Sequence, residues 1–167
     1  IPQGADALIN LAAISRDQDC RGNPKLAFDV NVLGTLNLIN AAREREVKQF
    51  IFASTEWVYG ETNGTSRQTE EQVIDSAKIQ SEYALSKIVG EQTLRLAQQN
   101  GFCPVTILRF GIVYGPRPAN WSAVESLFDA VRTKEEVAVG SLATARRFIH
   151  VSDVAKGICS VIGRTEN

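Results

Sequence analysis

The sequence predicts a doubly wound α/β fold, and three observations carry that expectation. Short apolar runs (Asp6–Ala13, Lys48–Ser54 and Pro104–Phe110) alternate with long amphipathic stretches. The runs are too apolar for burial on one side only, which marks parallel strands covered by helices on both faces. Their order, strand–helix–strand–helix–strand, calls for right-handed βαβ crossovers and an open parallel sheet. Asp6–Ala13 is expected to be a central strand of the complete fold.

The helices between the strands have readable ends. Asn23 suits an N-cap and Pro24 the first helical position, and the pattern runs to about Glu46. Its large apolar residues fall nearly all round the cylinder, so the helix is expected to be buried on two sides. A second helix spans Ser81 to Gln99, with Asn100-Gly101 as its stop. Glu61–Gln80 is polar and breaker-containing, a length of loop that is usually functional. After Tyr114 the texture changes. Gly115-Pro116-Arg117-Pro118 is a rigid turn, then a helix near Ser122–Arg132 and a short strand near Glu136–Val139 are expected. Gly115 therefore divides residues 1–115 from a smaller, substrate-facing region, residues 116–167.

Composition narrows the function. Eighteen Lys+Arg against 19 Asp+Glu leave a net charge of −1 over 167 residues. That excludes the basic excess of a nucleic-acid binder. With 44% hydrophobic residues the chain is globular rather than disordered. No apolar run reaches the roughly 18 residues of a membrane span. Cys20, Cys103 and Cys159 are far apart and odd in number, so reduced thiols of a cytoplasmic protein are expected, with no metal site.

The strongest chemical signal is Tyr83-x-x-x-Lys87. Four-residue spacing puts both side chains on one helix face, with Cβ atoms about 5–6 Å apart. Tyrosine alone is a poor base at neutral pH, and lowering its pKa by about 3 units takes roughly 4 kcal/mol. A cation about 4 Å away at an effective dielectric near 20 supplies about that much. On spacing alone the pair is a common accident of helix surfaces. Its context differs: the strand Lys48–Ser54 ends in Ser54-Thr55-Glu56-Trp57-Val58-Tyr59-Gly60. Ligands of open parallel sheets bind beyond the carboxyl ends of the strands, where the Thr55 hydroxyl would lie.

Six segments in register from Asp6 to Ala155 then resemble one family. Asp6–Ala13 resembles a "D-x-V-x-H-L-A-A" strand with Asn10 in place of His. Asn31-Val32-Leu33-Gly34-Thr35-Leu36-Asn37 resembles "N-x-x-G-T-x-N", and Thr55–Gly60 resembles "S/T-x-x-V-Y-G". Tyr83–Lys87, Leu108–Phe110 with Val113–Arg117, and Arg146–Ala155 complete the set. The chain resembles the extended short-chain dehydrogenase/reductases, the NAD-dependent epimerase/dehydratases of nucleotide sugars.

The resemblance implies a Rossmann-like fold, NAD or NADP (NAD favoured) as cofactor, and a homodimer built on a four-helix interface. It implies Thr55, Tyr83 and Lys87 as catalytic residues, with Tyr83 moving a hydroxyl proton while hydride leaves the same carbon. Leu11, Ala12, Ala13, Asn31 and Ser54, with Tyr83 and Lys87, would meet the cofactor. Glu56, Trp57, Arg117 and Arg146 would meet the substrate, Arg146 at a diphosphate. His150 is expected to be structural. Trp57 stands where dehydratases carry a Glu, which favours an epimerase, because water elimination needs a separately placed acid and base. A sugar dehydratase, a uronate-type dehydrogenase and a non-catalytic dinucleotide-binding regulator are the alternatives. Neither a Gly-x-Gly-x-x-Gly nor a Gly-x-x-Gly-x-x-Gly motif occurs. The segment is therefore expected to begin near the fourth strand of the family fold.

Overall fold

A computed structural model describes residues 1–60, 67–118, 122–140 and 145–164. These form two compact units, Ile1–Arg109 with the chain from Val161 onward, and Phe110–Ser160.

The first unit is built on a three-stranded sheet in the order β1-β2-β3: Leu8–Asn10, Phe50–Thr55 and Val105–Phe110. β1 and β2 are parallel, with Leu8 opposite Phe50 and Asn10 opposite Phe52. β2 is the most deeply buried strand: Phe50, Ile51 and Phe52 have no exposed surface, as its unbroken apolar run demands. β1 is shorter than Asp6–Ala13, because the backbone leaves the ladder after Asn10 to form an exposed run at Leu11 and Ala12. It lies at an edge of this sheet.

The first long helix begins as expected. Asn23 accepts a hydrogen bond from the Leu26 amide, and Pro24 opens α2 (Pro24–Phe28); a short α1 (Asp17–Gly22), not expected from the sequence, precedes it. The rest departs from a plain helix. Asp29–Leu33 forms a π-helical turn, closed by the Gly34 amide on Asp29 O, before α3 runs Gly34–Glu44. Burial follows one stripe (Ala27, Asn31, Thr35, Ile39 and Ala42) and leaves Leu26, Val30 and Leu33 exposed. The all-round apolar pattern thus resolves into a packed side of small and polar residues and an outward side of larger ones.

α4 (Glu82–Gln99) is capped by Ser81, whose hydroxyl accepts from the Ala84 amide, and is followed by Gly101 at φ +80. Its Leu94 joins Ile39, Ala42, Val47, Phe50, Phe52, Phe102 and Val105 in the core. Burying each such phenylalanine is worth about 1.5–3 kcal/mol. Buried Gln49 holds the returning chain: its amide donates to Val161 O and Arg164 O and accepts from the Gly163 amide. Of the expected loop Glu61–Gln80, residues 61–66 lie outside the described residues; Ser76–Lys78 is a short 3₁₀ turn.

In the second unit β4 (Ile112–Tyr114) pairs in parallel with β5 (Phe148–His150). α5 (Ala123–Thr133) follows Ser122, whose amide donates to Glu125 Oε2 at 2.9 Å. Glu136–Val139 is not a strand. It carries no ladder hydrogen bonds, and the strand pairing falls to Ile112–Tyr114 instead. α6 spans Val151–Val161.

Glycine in a helix normally costs about 1 kcal/mol against alanine. At Gly90 the sign reverses, because an added Cβ would come within 2.7 Å of Phe52 Cζ, in the middle of the core. Gly90→Ala is expected to lower the unfolding free energy by about 1–3 kcal/mol in denaturant titration; a gain in stability would contradict the packing described.

Candidate active site

The site forms where β2 ends. Thr55 is the last residue of the strand, buried, and its Oγ accepts from the Trp57 amide at 3.3 Å as a 3₁₀ turn, Glu56–Tyr59, begins. Tyr83 and Lys87 reach the same place from the first turns of α4. The Thr55 hydroxyl lies near enough to the Tyr83 phenol to favour its ionised form, which brings two of the three expected catalytic residues together.

Lys87 is 2% exposed. Its Nζ lies 4.8 Å from the ring centroid of Phe52 and 5.9 Å from that of Tyr83. Among the described residues no carboxylate pairs with it. Aromatic faces attract a cation but do not replace the hydration it has lost. Burial accordingly pulls the Lys87 pKa down to about 8. Tyr83 is pushed the other way, up to about 12, chiefly by burial; the Thr55 hydrogen bond opposes this and the neighbouring Cys20 thiol adds to it. The sequence suggests that Lys87, helped by a positively charged nicotinamide, readies Tyr83 to move a proton. In the free protein burial sets the direction of the Tyr83 shift.

Trp57 packs edge-on against Tyr83, with ring centroids 6.4 Å apart at 74°, while 40% of its surface stays exposed. Glu56 beside it is half-buried. An aromatic wall with an open face therefore borders the Tyr83 phenol.

Two other expected residues are spent on positioning. The Asn31 side chain accepts from the Ile14 amide at 2.8 Å and donates to Ile14 O and to Ser86 Oγ, both at 3.0 Å. Ser86 in turn donates to Tyr83 O. The π-helical turn thus aims Asn31 at both the loop after β1 and the helix carrying Tyr83, a use typical of such bulges. Ser54 likewise gives its hydroxyl to Glu91 Oε1 rather than leaving it open. In the loop itself, Leu11 and Ala12 are exposed and Ala13 half-buried, and the Ala12 amide is turned onto Asn10 Oδ1 at 3.2 Å.

Arg117 and Arg146 belong to the second unit. Arg117 is held by Glu125 and by Val113 O, and Arg146 is exposed, donating to Ala145 O. His150 Nδ1 pairs with Ser152 Oγ at 2.7 Å. Among the described residues no His/Cys/Asp/Glu group could hold a metal ion, and Cys20, Cys103 and Cys159 are free thiols. No helix of the described residues is long and apolar enough to cross a membrane.

Comparison with known proteins shows the family. Residues 1–167, the whole chain, match the NAD dependent epimerase/dehydratase family. The chain belongs to that family. It is 33% identical over 166 residues to an uncharacterized UDP-glucose epimerase, YtcB, of Bacillus subtilis, covering 97% of this chain and 50% of that protein. It is 29% identical to the dTDP-D-glucose 4,6-dehydratase of Mus musculus over 140 residues, 82% of this chain and 38% of the mouse enzyme. Its fold superimposes on a Thermus thermophilus UDP-glucose 4-epimerase, determined in complex with NAD, with TM-score 0.83 and 28% identity. That match covers 97% of this chain and 54% of the Thermus chain. The chain spans about half the length of the curated relatives it matches, within the Rossmann-like fold that they share.

Sequence reasoning missed Ser86 and Glu91. Glu91 lies four residues beyond Lys87 and eight beyond Tyr83, so a carboxylate on the helix face that carries those two residues was the available signal.

The two pKa values set opposite pH dependences. The unfolded chain holds the Lys87 proton to higher pH than the fold does, so this residue costs stability at neutral pH, and the cost fades as pH rises from about 8 to 10.5. For Tyr83 the fold holds the proton more tightly, so its contribution is complete below 10 and is lost as pH rises through about 12. Lys87→Met is therefore expected to stabilise the protein at pH 7 by up to about 3 kcal/mol and to remove the rise in stability above pH 8. Unfolding of both forms across that range measures it; a less stable variant would refute the buried, unpaired ammonium.

Proposed function

We propose that the full-length protein is a NAD-dependent epimerase of a nucleotide sugar. The observation that carries this reading is the meeting of the Thr55 hydroxyl, the Tyr83 phenol and the buried Lys87 ammonium at the carboxyl end of β2. A cation without a carboxylate in a dry site suits the hydroxyl pair of a ribose, which accepts its hydrogen bonds without adding charge. NAD, when bound, accepts a hydride from a sugar carbon and returns it. Lys87 holds and orients the cofactor's ribose, and the loop Leu11–Ala13 lies against it. Thr55 fixes the substrate oxygen, and Tyr83 takes that oxygen's proton and gives it back. NADP is the alternative cofactor.

Trp57 presents its open face to the sugar ring, with Glu56 at its rim. On the second unit, Arg146 offers the planar fork of donors that suits a diphosphate. The epimerase reading is preferred to a dehydratase because Glu56 is followed by Trp57 rather than by a second carboxylate. We infer a cytoplasmic enzyme from the three free thiols.

A homodimer fits the outward row Leu26, Val30 and Leu33, which are 46%, 38% and 51% exposed, together with Leu85 and Leu96 on α4. Leu33→Glu is expected to halve the mass in solution, measured by light scattering; an unchanged mass would remove the interface.

The test of the activity is Tyr83→Phe in the full-length protein with a panel of UDP- and dTDP-sugars. Loss of about 10²–10⁴-fold in kcat with retained sugar binding is expected, as for removal of an acid/base group. Full turnover without the phenol would overturn the assignment.

A further inference from the structure

We propose that Glu91 and Arg109 are a positioning pair that fixes Thr55 against Tyr83 and Lys87. Glu91 is 1% exposed and stands on the Tyr83–Lys87 face of α4. Its Oε1 accepts from Arg109 Nε at 3.0 Å and from Ser54 Oγ at 2.5 Å, and its Oε2 from Arg109 Nη2 at 2.7 Å. Arg109, near the end of β3, extends Nη1 to Tyr59 OH at 3.1 Å and to Glu70 O at 3.4 Å. Its guanidinium also lies 5.0 Å from the Tyr59 ring centroid.

The partners define the role. Ser54 immediately precedes Thr55, and Tyr59 closes the turn that carries Trp57. One ion pair therefore ties the end of β2, the turn after it and the end of β3 to the helix that supplies Tyr83 and Lys87. A largely buried ion pair is seldom more stabilising than an apolar replacement of the same size, because its charges lose hydration. Two-pronged arginine–carboxylate geometry does, however, set distance and orientation together. Misplacement of a catalytic group by about 1 Å costs on the order of 10²-fold in rate, so such a clamp acts on kcat.

The proposal rests on the reading of Tyr83 as the proton-transfer residue, and the test separates the two. In the full-length enzyme with NAD and its sugar substrate, Glu91→Gln is expected to lower kcat about 100-fold with KM moved less than about threefold. The limb of the kcat–pH profile belonging to Tyr83, which faces Lys87 and Cys20 as well as Thr55, moves to higher pH as the Thr55 hydroxyl is displaced from the phenol. Glu91→Asp, which keeps the charge, recovers part of the rate. Because Glu91→Gln strands the Arg109 charge and can prevent folding, Ser54→Ala is the second variant: the ion pair stays intact and only the tie to β2 is cut. It is expected to lower kcat about tenfold, with the same shift of the pH profile.

Unchanged kcat and pH profile per folded site in Ser54→Ala or Glu91→Gln, with only a lower melting temperature, would overturn the positioning role. If Tyr83→Phe is inactive while these variants are normal, the positioning role alone falls. If Tyr83→Phe keeps full turnover, the catalytic reading falls and the positioning role with it.

Discussion

The ammonium of Lys87 sits over Phe52, almost without solvent and without a carboxylate among the described residues, and the site is arranged around that burial. Taking a cation out of water is costly unless something replaces the water, and the rings of Phe52 and Tyr83 replace it only in part. The same burial that weakens the proton affinity of Lys87 strengthens that of Tyr83. In the free protein the Tyr83 phenol is therefore held in a poor state for base chemistry. Stability is given up at this point, as is common where a fold places a functional group.

Two polar clamps make such a pocket possible. Asn31, aimed by the π-helical turn, fastens the loop after β1 to α4 through Ile14 and Ser86. Glu91 fastens α4 to β2 and β3 through Ser54 and Arg109. Between them lies β2, whose three buried residues Phe50, Ile51 and Phe52 form the wall on which Lys87 rests. The absence of a side chain at Gly90 lets α4 approach that wall. Packing, clamps and the buried cation are one structure: loosening any of them moves Thr55 relative to Tyr83.

Much of this was legible in the sequence, for physical reasons. β2 was visible because a strand buried on both faces must be apolar throughout, and the Asn23-Pro24 and Ser81 caps were visible because helix ends need specific donors and acceptors. The site trio was visible because Thr55 ends that strand and Tyr83 and Lys87 share a helix face. The π-helical turn was not, since an added residue in a turn leaves no mark on an apolar pattern. The strand expected at Glu136–Val139 failed because β-forming residues do not reveal whether a partner is present. The resemblance implies Asn31 and Ser54 beside a cofactor; in the free protein their polar atoms are engaged by Ile14, Ser86 and Glu91. Sequence identifies a polar residue near a site more readily than it shows which way the side chain is turned.

The account turns on the protonation of Tyr83. The most direct test is a tyrosinate absorbance titration of the full-length protein, with the Tyr83→Phe curve subtracted, in the absence and presence of NAD. The account predicts that Tyr83 ionises near 12 in the free protein and falls by more than about one unit when NAD brings its positive nicotinamide charge into the dry pocket. A Tyr83 that titrates at or below its ordinary value in the free protein, or that does not respond to saturating NAD, would contradict it.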